Sequence, residues 1–84
     1  MSEIIVYANQ SCPFCVRARK LLDAKGLDYE LIDVTGSSDL WSQMEARSGR
    51  NTIPQVFVKG QHVGGFDDLY AADQSGQLDE MLKG

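Results

Sequence analysis

EIIVYANQSCPFCVRARKLLDAKGLDYELIDV, residues 3–34, is the stretch that decides the fold. Glu3 to Ala8 is rich in β-branched and aromatic residues and nearly continuously apolar from Ile4, the pattern of a strand buried on both faces and central in its sheet. From Pro13 to Lys25, Phe14, Ala18, Leu21, Leu22 and Lys25 recur at spacings of three and four, and Gly26 stands where a helix-ending glycine belongs. Tyr29 to Val34 alternates enough to be a second strand. A strand–helix–strand run of this length predicts a parallel pair with a right-handed crossover.

Cys12-Pro13-Phe14-Cys15 holds the only two cysteines of the 84 residues and falls where the first strand runs into the helix. Two thiols so spaced can close a small disulfide ring on one helical turn, which points to redox exchange. With Cys12 as N-cap and Pro13 as first helical residue, the Cys12 sulfur faces unpaired backbone N–H groups and the positive end of the helix dipole. Both favour a thiolate. Arg17, Arg19 and Lys20 follow in the same helix and add positive potential, weakened by salt at exposed positions. Open α/β sheets place their sites at the carboxyl ends of strands, where Cys12 would lie.

Further along, Ser37 or Ser38 can cap a second helix reaching about Arg47, with Leu40, Trp41 and Met44 as apolar members and Gly49 as its end. Gln55 to Lys59 reads as a strand, Gly60-Gln61 as a turn and His62 to Gly65 as a short returning strand. Asp67 or Asp68 can cap the last helical region, which runs through Leu69, Tyr70, Leu78, Met81 and Leu82 with a break near Ser75-Gly76. This order implies an α/β protein with a four-stranded mixed sheet flanked by helices, in one domain over residues 1–84. No repeat, linker or low-complexity stretch interrupts it.

The formal charge of −4 offers no basic face for nucleic acid. No apolar run approaches the ~20 residues that span a bilayer. Met1-Ser2-Glu3-Ile4 does not begin a secretory signal, so the expected compartment is the cytoplasm, where a disulfide is transient rather than structural. Zinc normally takes four protein ligands in a structural site, and two cysteines with the single His62 do not supply them, so no metal is expected.

Cys12-Pro13-Phe14-Cys15, then Thr52-Ile53-Pro54 before a strand, then Gly64-Gly65-Phe66-Asp67-Asp68-Leu69 at the start of the last helix together resemble the glutaredoxins across nearly the whole chain, above all the short bacterial dithiol type. The resemblance implies a thioredoxin fold and an enzyme that uses glutathione to reduce protein disulfides and protein–glutathione mixed disulfides, within electron transport and cell redox homeostasis. Cys12, nearer the helix end, would attack; Cys15, one turn inside, would resolve the mixed disulfide. By the same resemblance, a cis proline at Pro54 leaves the Ile53 main chain free to pair with the cysteinyl part of glutathione, beside Thr52 and Phe14. The amides of Phe66 and Asp67 after Gly65 would take the γ-glutamyl carboxylate and the Asp67 side chain its α-amino group. The local alternative for that last segment is a plain turn and helix cap. Glutathione and disulfide-containing or glutathionylated proteins are the expected partners, ribonucleotide reductase among them at the level of the family, with the chain acting as a monomer.

Three positions depart from the family pattern. Asn9 stands where a lysine is common, Trp41 aligns with an Arg or Gln that faces the glycyl carboxylate, and Phe14 replaces the more frequent Tyr. Arg50 or Arg47 would have to compensate, and weaker glutathione affinity is the expectation. Trp41 is either packing or a residue lining the site; His62 reads as a surface residue of the hairpin. Two other functions stay open: a thioredoxin-like reductase served by a flavoprotein, and a carrier holding an iron–sulfur cluster between two Cys12 thiolates and two glutathiones. Proline after the first cysteine speaks against the second, and the Gly-Gly-Phe-Asp-Asp segment against the first.

Overall fold

Strand β1 (Ile4–Ala8) has Ile4, Val6, Tyr7 and Ala8 buried, as its continuous apolar run requires. The structure, a computed structural model, describes residues 3–9 and 11–83. Met1, Ser2, Gln10 and Gly84, which the expected 1–84 domain also takes in, lie outside the described residues. After β1 come α1 (Pro13–Ala24), β2 (Glu30–Asp33), α2 (Ser38–Ser48), β3 (Gln55–Val58), β4 (Gln61–Gly64), α3 (Phe66–Ser75) and α4 (Gln77–Lys83).

The four strands form one sheet in the order β2-β1-β3-β4, with β1 parallel to β2 and antiparallel to β3, and β3 antiparallel to β4. The mixed sheet is thus as expected, with β1 inside it. Because side chains alternate across a strand, Ile4, Val6 and Ala8 of β1 and Val56 and Val58 of β3 meet Cys15, Ala18 and Leu22 of α1, Leu69 and Ala72 of α3, and Leu78 of α4. Tyr7 and Phe57 face the other way and pack with Val34 and Met44. Three helices cover one face and α2 the other.

Local chemistry explains the element ends. Ser37 caps α2, its hydroxyl accepting the Leu40 N–H at 3.2 Å, and Gly49 ends the helix at φ +71°. The hairpin differs from expectation by one residue: its loop is Lys59-Gly60, not Gly60-Gln61. Both residues have positive φ, +50° and +81°, the pattern of a two-residue type I′ turn that matches strand twist. The last helical region also starts earlier than expected. Gly65 is the N-cap of α3, and Asp68 at the third helical position accepts the Gly65 N–H at 3.1 Å, so it caps from within. Phe14 and Tyr70, expected on the apolar faces of their helices, are 49% and 50% exposed. Among the described residues no helix is long and apolar enough to cross a membrane.

Candidate active site

At the carboxyl end of β1, Asn9 builds the turn that delivers Cys12. Its side-chain carbonyl accepts the Ser11 N–H at 2.7 Å and its main-chain carbonyl the Cys12 N–H at 3.3 Å. The position where a lysine is common thus holds a turn-forming residue instead. Cys12 is the extended N-cap of α1 with Pro13 first in the helix, as expected, and its sulfur makes no capping bond. Cys12 is partly exposed, whereas Cys15, one turn on, is fully buried. Burial pushes the Cys15 thiol up to about 11; the Asn9 backbone amide on its sulfur pulls the other way, and a hydrogen bond to Cys12 favours the protonated form. One thiol is reachable and the other is kept protonated beside it. Of the cations in α1, Arg19 is turned toward the Tyr29 hydroxyl at 3.4 Å and Arg17 lies 5.4 Å from the Phe14 ring centroid.

The three motifs meet in space. The Ile53–Pro54 peptide is cis, Pro54 is buried, and Ile53 packs against the same cluster as Cys12. Gly65 lies against this bend: a Cβ added there would stand 3.4 Å from the Pro54 carbonyl oxygen. Phe66 reaches back to Phe14, ring centroids 6.4 Å apart, and on to Tyr70 at 6.0 Å. Phe14, Phe66 and Tyr70 therefore form a partly exposed aromatic row beside the cysteines. Thr52 and Asp67 are exposed at the two ends of this region.

Arg50 lies at the site and Arg47 does not. The Arg50 guanidinium donates to the Asp68 carboxylate at 2.9 Å, tying the segment before Thr52 to the start of α3. Arg50 first, and the Gly65 amide second, hold the Asp68 carboxyl below the usual carboxylate range. Arg47 donates to the Tyr7 hydroxyl at 2.7 Å and lies over the Phe57 ring at 4.6 Å, on the α2 face. Trp41 is half-buried against the Tyr7–Met44–Phe57 cluster, in accord with its packing alternative.

Two residues carry more than the sequence suggested. Gln55, read only as the first residue of a strand, is fully buried and donates from its amide to the Thr52 carbonyl at 2.9 Å and the Thr52 hydroxyl at 3.1 Å. His62 lies in the returning strand β4, as expected, but it is half-buried rather than a surface residue, with Nε2 2.7 Å from the Gln55 carbonyl oxygen and its ring 5.1 Å from that of Phe57. Burial, then the charge of Arg50, push His62 below its ordinary value, with Asp68 opposing. The one available signal was Gln55 itself, a polar residue opening an otherwise apolar strand directly after a proline. Among the described residues no three His, Cys, Asp or Glu side chains are grouped so as to hold a metal ion.

Comparison with known proteins agrees with this geometry. The Glutaredoxin family model matches residues 4–63. Glutaredoxin 3 of Escherichia coli K12 is 43% identical over 83 residues, covering 99% of this chain and all of that protein. The solution structure of glutaredoxin from Brucella melitensis superposes with a TM-score of 0.84 at 47% identity, over 99% of this chain and 90% of that one. A crystal structure of a buckwheat glutaredoxin–glutathione complex gives a TM-score of 0.88 at 30% identity, over 98% of this chain and 77% of that one. With its thioredoxin fold and its paired thiols at a strand–helix junction, the chain belongs to the glutaredoxin family of thiol–disulfide oxidoreductases.

Proposed function

We propose that this protein uses glutathione to reduce protein disulfides and protein–glutathione mixed disulfides, with Cys12 as the nucleophile and Cys15 as the resolving thiol. The observation that carries the reading is the pairing of a partly exposed cysteine at a helix start with a fully buried one a turn further on, whose thiol burial keeps protonated. On a glutathionylated protein, the Cys12 thiolate attacks the glutathione sulfur, the protein thiolate leaves and takes up a proton, and Cys12 carries the glutathionyl group. A second glutathione thiolate then attacks that sulfur, releasing glutathione disulfide and restoring the Cys12 thiolate. On a protein disulfide, Cys12 first joins one substrate sulfur. Cys15 then gives up its proton, attacks Cys12 and releases the substrate dithiol; two glutathiones reduce the resulting ring.

In this reading the Ile53 main chain pairs with the cysteinyl part of glutathione, bounded by Thr52, Pro54 and Phe14. The Phe66 and Asp67 amides after Gly65, at the start of α3, take the γ-glutamyl carboxylate, and the Asp67 side chain its α-amino group. The contact of Gly65 with Pro54 supports placing both segments on one ligand. The test is electron delivery: NADPH-driven turnover of a small glutathione mixed disulfide with glutathione and glutathione reductase, beside insulin reduction with thioredoxin reductase. Turnover only through glutathione is the expected result. Turnover only through thioredoxin reductase would replace glutathione by a flavoprotein as the electron donor.

A further inference from the structure

Gln55 is the one buried polar residue among those described, and its amide is used completely. Nitrogen and oxygen of the amide are distinguished by their partners. The Thr52 carbonyl can only accept, so the Gln55 nitrogen must face Thr52, at 2.9 Å from that carbonyl and 3.1 Å from the hydroxyl. The Gln55 oxygen therefore faces His62, and as it can only accept, His62 Nε2 at 2.7 Å must carry a hydrogen. A neutral His62 is then the Nε2–H tautomer.

The Thr52 carbonyl shares its planar trans peptide unit with the Ile53 N–H, and in such a unit the two point in opposite directions. Ile53 lies before the ladder between β1 and β3, which begins at Gln55, so strand pairing does not orient that unit. Gripping the Thr52 carbonyl from inside the core aims the Ile53 N–H away from the buried amide. We infer that Gln55, held by His62, is a positioning residue that sets the direction of the Ile53 N–H and thereby the affinity for the cysteinyl part of glutathione. This rests on the reading of Thr52-Ile53-Pro54 as the glutathione segment. Gln55 touches no substrate; it acts through the Thr52–Ile53 peptide.

The experiment is a titration of the reduced, nitrogen-15-labelled full chain with S-methylglutathione, which cannot exchange with thiols, followed on backbone amide resonances. Gln55→Leu removes the amide; His62→Leu removes its support; His62→Gln restores a donor facing Gln55. We expect Gln55→Leu to displace the Ile53 amide resonance in the free protein and to weaken binding about tenfold. His62→Leu shifts the same resonance and weakens binding in the same direction, while His62→Gln stays within about threefold of the parent. If Gln55→Leu does not fold, shown by lost resonance dispersion, the two His62 variants decide. An unmoved Ile53 resonance with unchanged affinity in the leucine variants overturns the inference and leaves the proposed function standing. A parent protein that does not bind S-methylglutathione overturns both.

Discussion

Cys12 and Cys15 stand one turn apart at the start of α1, Cys12 partly exposed and Cys15 fully buried. The same helix thereby gives two identical side chains different surroundings. Burial disfavours charge on Cys15, while Cys12 stands at the helix start where reagents reach it.

Alkylation reads this difference directly. At pH 8 iodoacetamide should add one equivalent, on Cys12, and Cys15 should react only after unfolding or as the pH approaches about 11. Mass spectrometry of the folded protein checks it; rapid double labelling at pH 8 would contradict the burial of Cys15. The sign for stability follows. A thiol whose folded pKa is raised from 9.0 to about 11 contributes fully below 9.0 and loses that contribution between the two values. Urea midpoints should fall over that interval, and Cys15→Ala should flatten the fall.

Removing each thiol separates the two reactions of the proposed function. Cys12→Ser should abolish turnover of both substrate types. Cys15→Ser should keep activity on a glutathionylated substrate and lose most of its reduction of protein disulfides, since the resolving step then needs an outside thiol. A Cys12→Ser protein with full turnover in the glutathione-coupled assay would refute the assignment of the nucleophile.

Acid should destabilise the fold in two steps. His62 has a folded pKa pushed below 6.5, so its contribution is complete above 6.5 and is lost as the pH falls from there through the depressed value. Asp68, held below 3.8 by Arg50 and the Gly65 amide, contributes above 3.8 and loses this as the pH falls through its folded value. Urea unfolding from pH 7 downward should show the first step, and His62→Gln should remove it while leaving the second. Asp68→Ala should remove the second and cost about 1 kcal/mol at pH 7, mainly from the lost cap of α3.

Gly64→Ala tests the packing of α3 onto β4. Gly64 has φ +127°, and a Cβ there would collide with the Asp68 carboxylate. The substitution should destabilise by more than about 1 kcal/mol, as for alanine forced to positive φ, and should also loosen the Arg50–Asp68 tie. Thermal melts of the variant beside Asp68→Ala would show whether the two losses overlap, as a shared carboxylate requires.

The elements and the family were legible in the residues because their signals are local. The apolar run of β1, proline after Cys12, Ser37 before α2 and Gly49 after it each act within one strand or one turn, and the structure places all of them as read. The mixed sheet followed from the order of such segments. Tertiary structure alone decided what depends on faces and distant partners. Phe14 and Tyr70 have helical spacing compatible with a core, yet they are 49% and 50% exposed, with the Phe66 ring between them. Arg50 and Arg47 are three residues apart, and only the fold sends one to Asp68 and the other to the opposite face of the sheet. Gln55 and His62 read as an ordinary strand residue and a surface residue of the hairpin until the fold brings the imidazole onto the buried amide. A hydrogen bond between side chains on neighbouring strands leaves no periodic trace in the chain, because it forms only where the fold sets the two strands side by side and shields the pair from water.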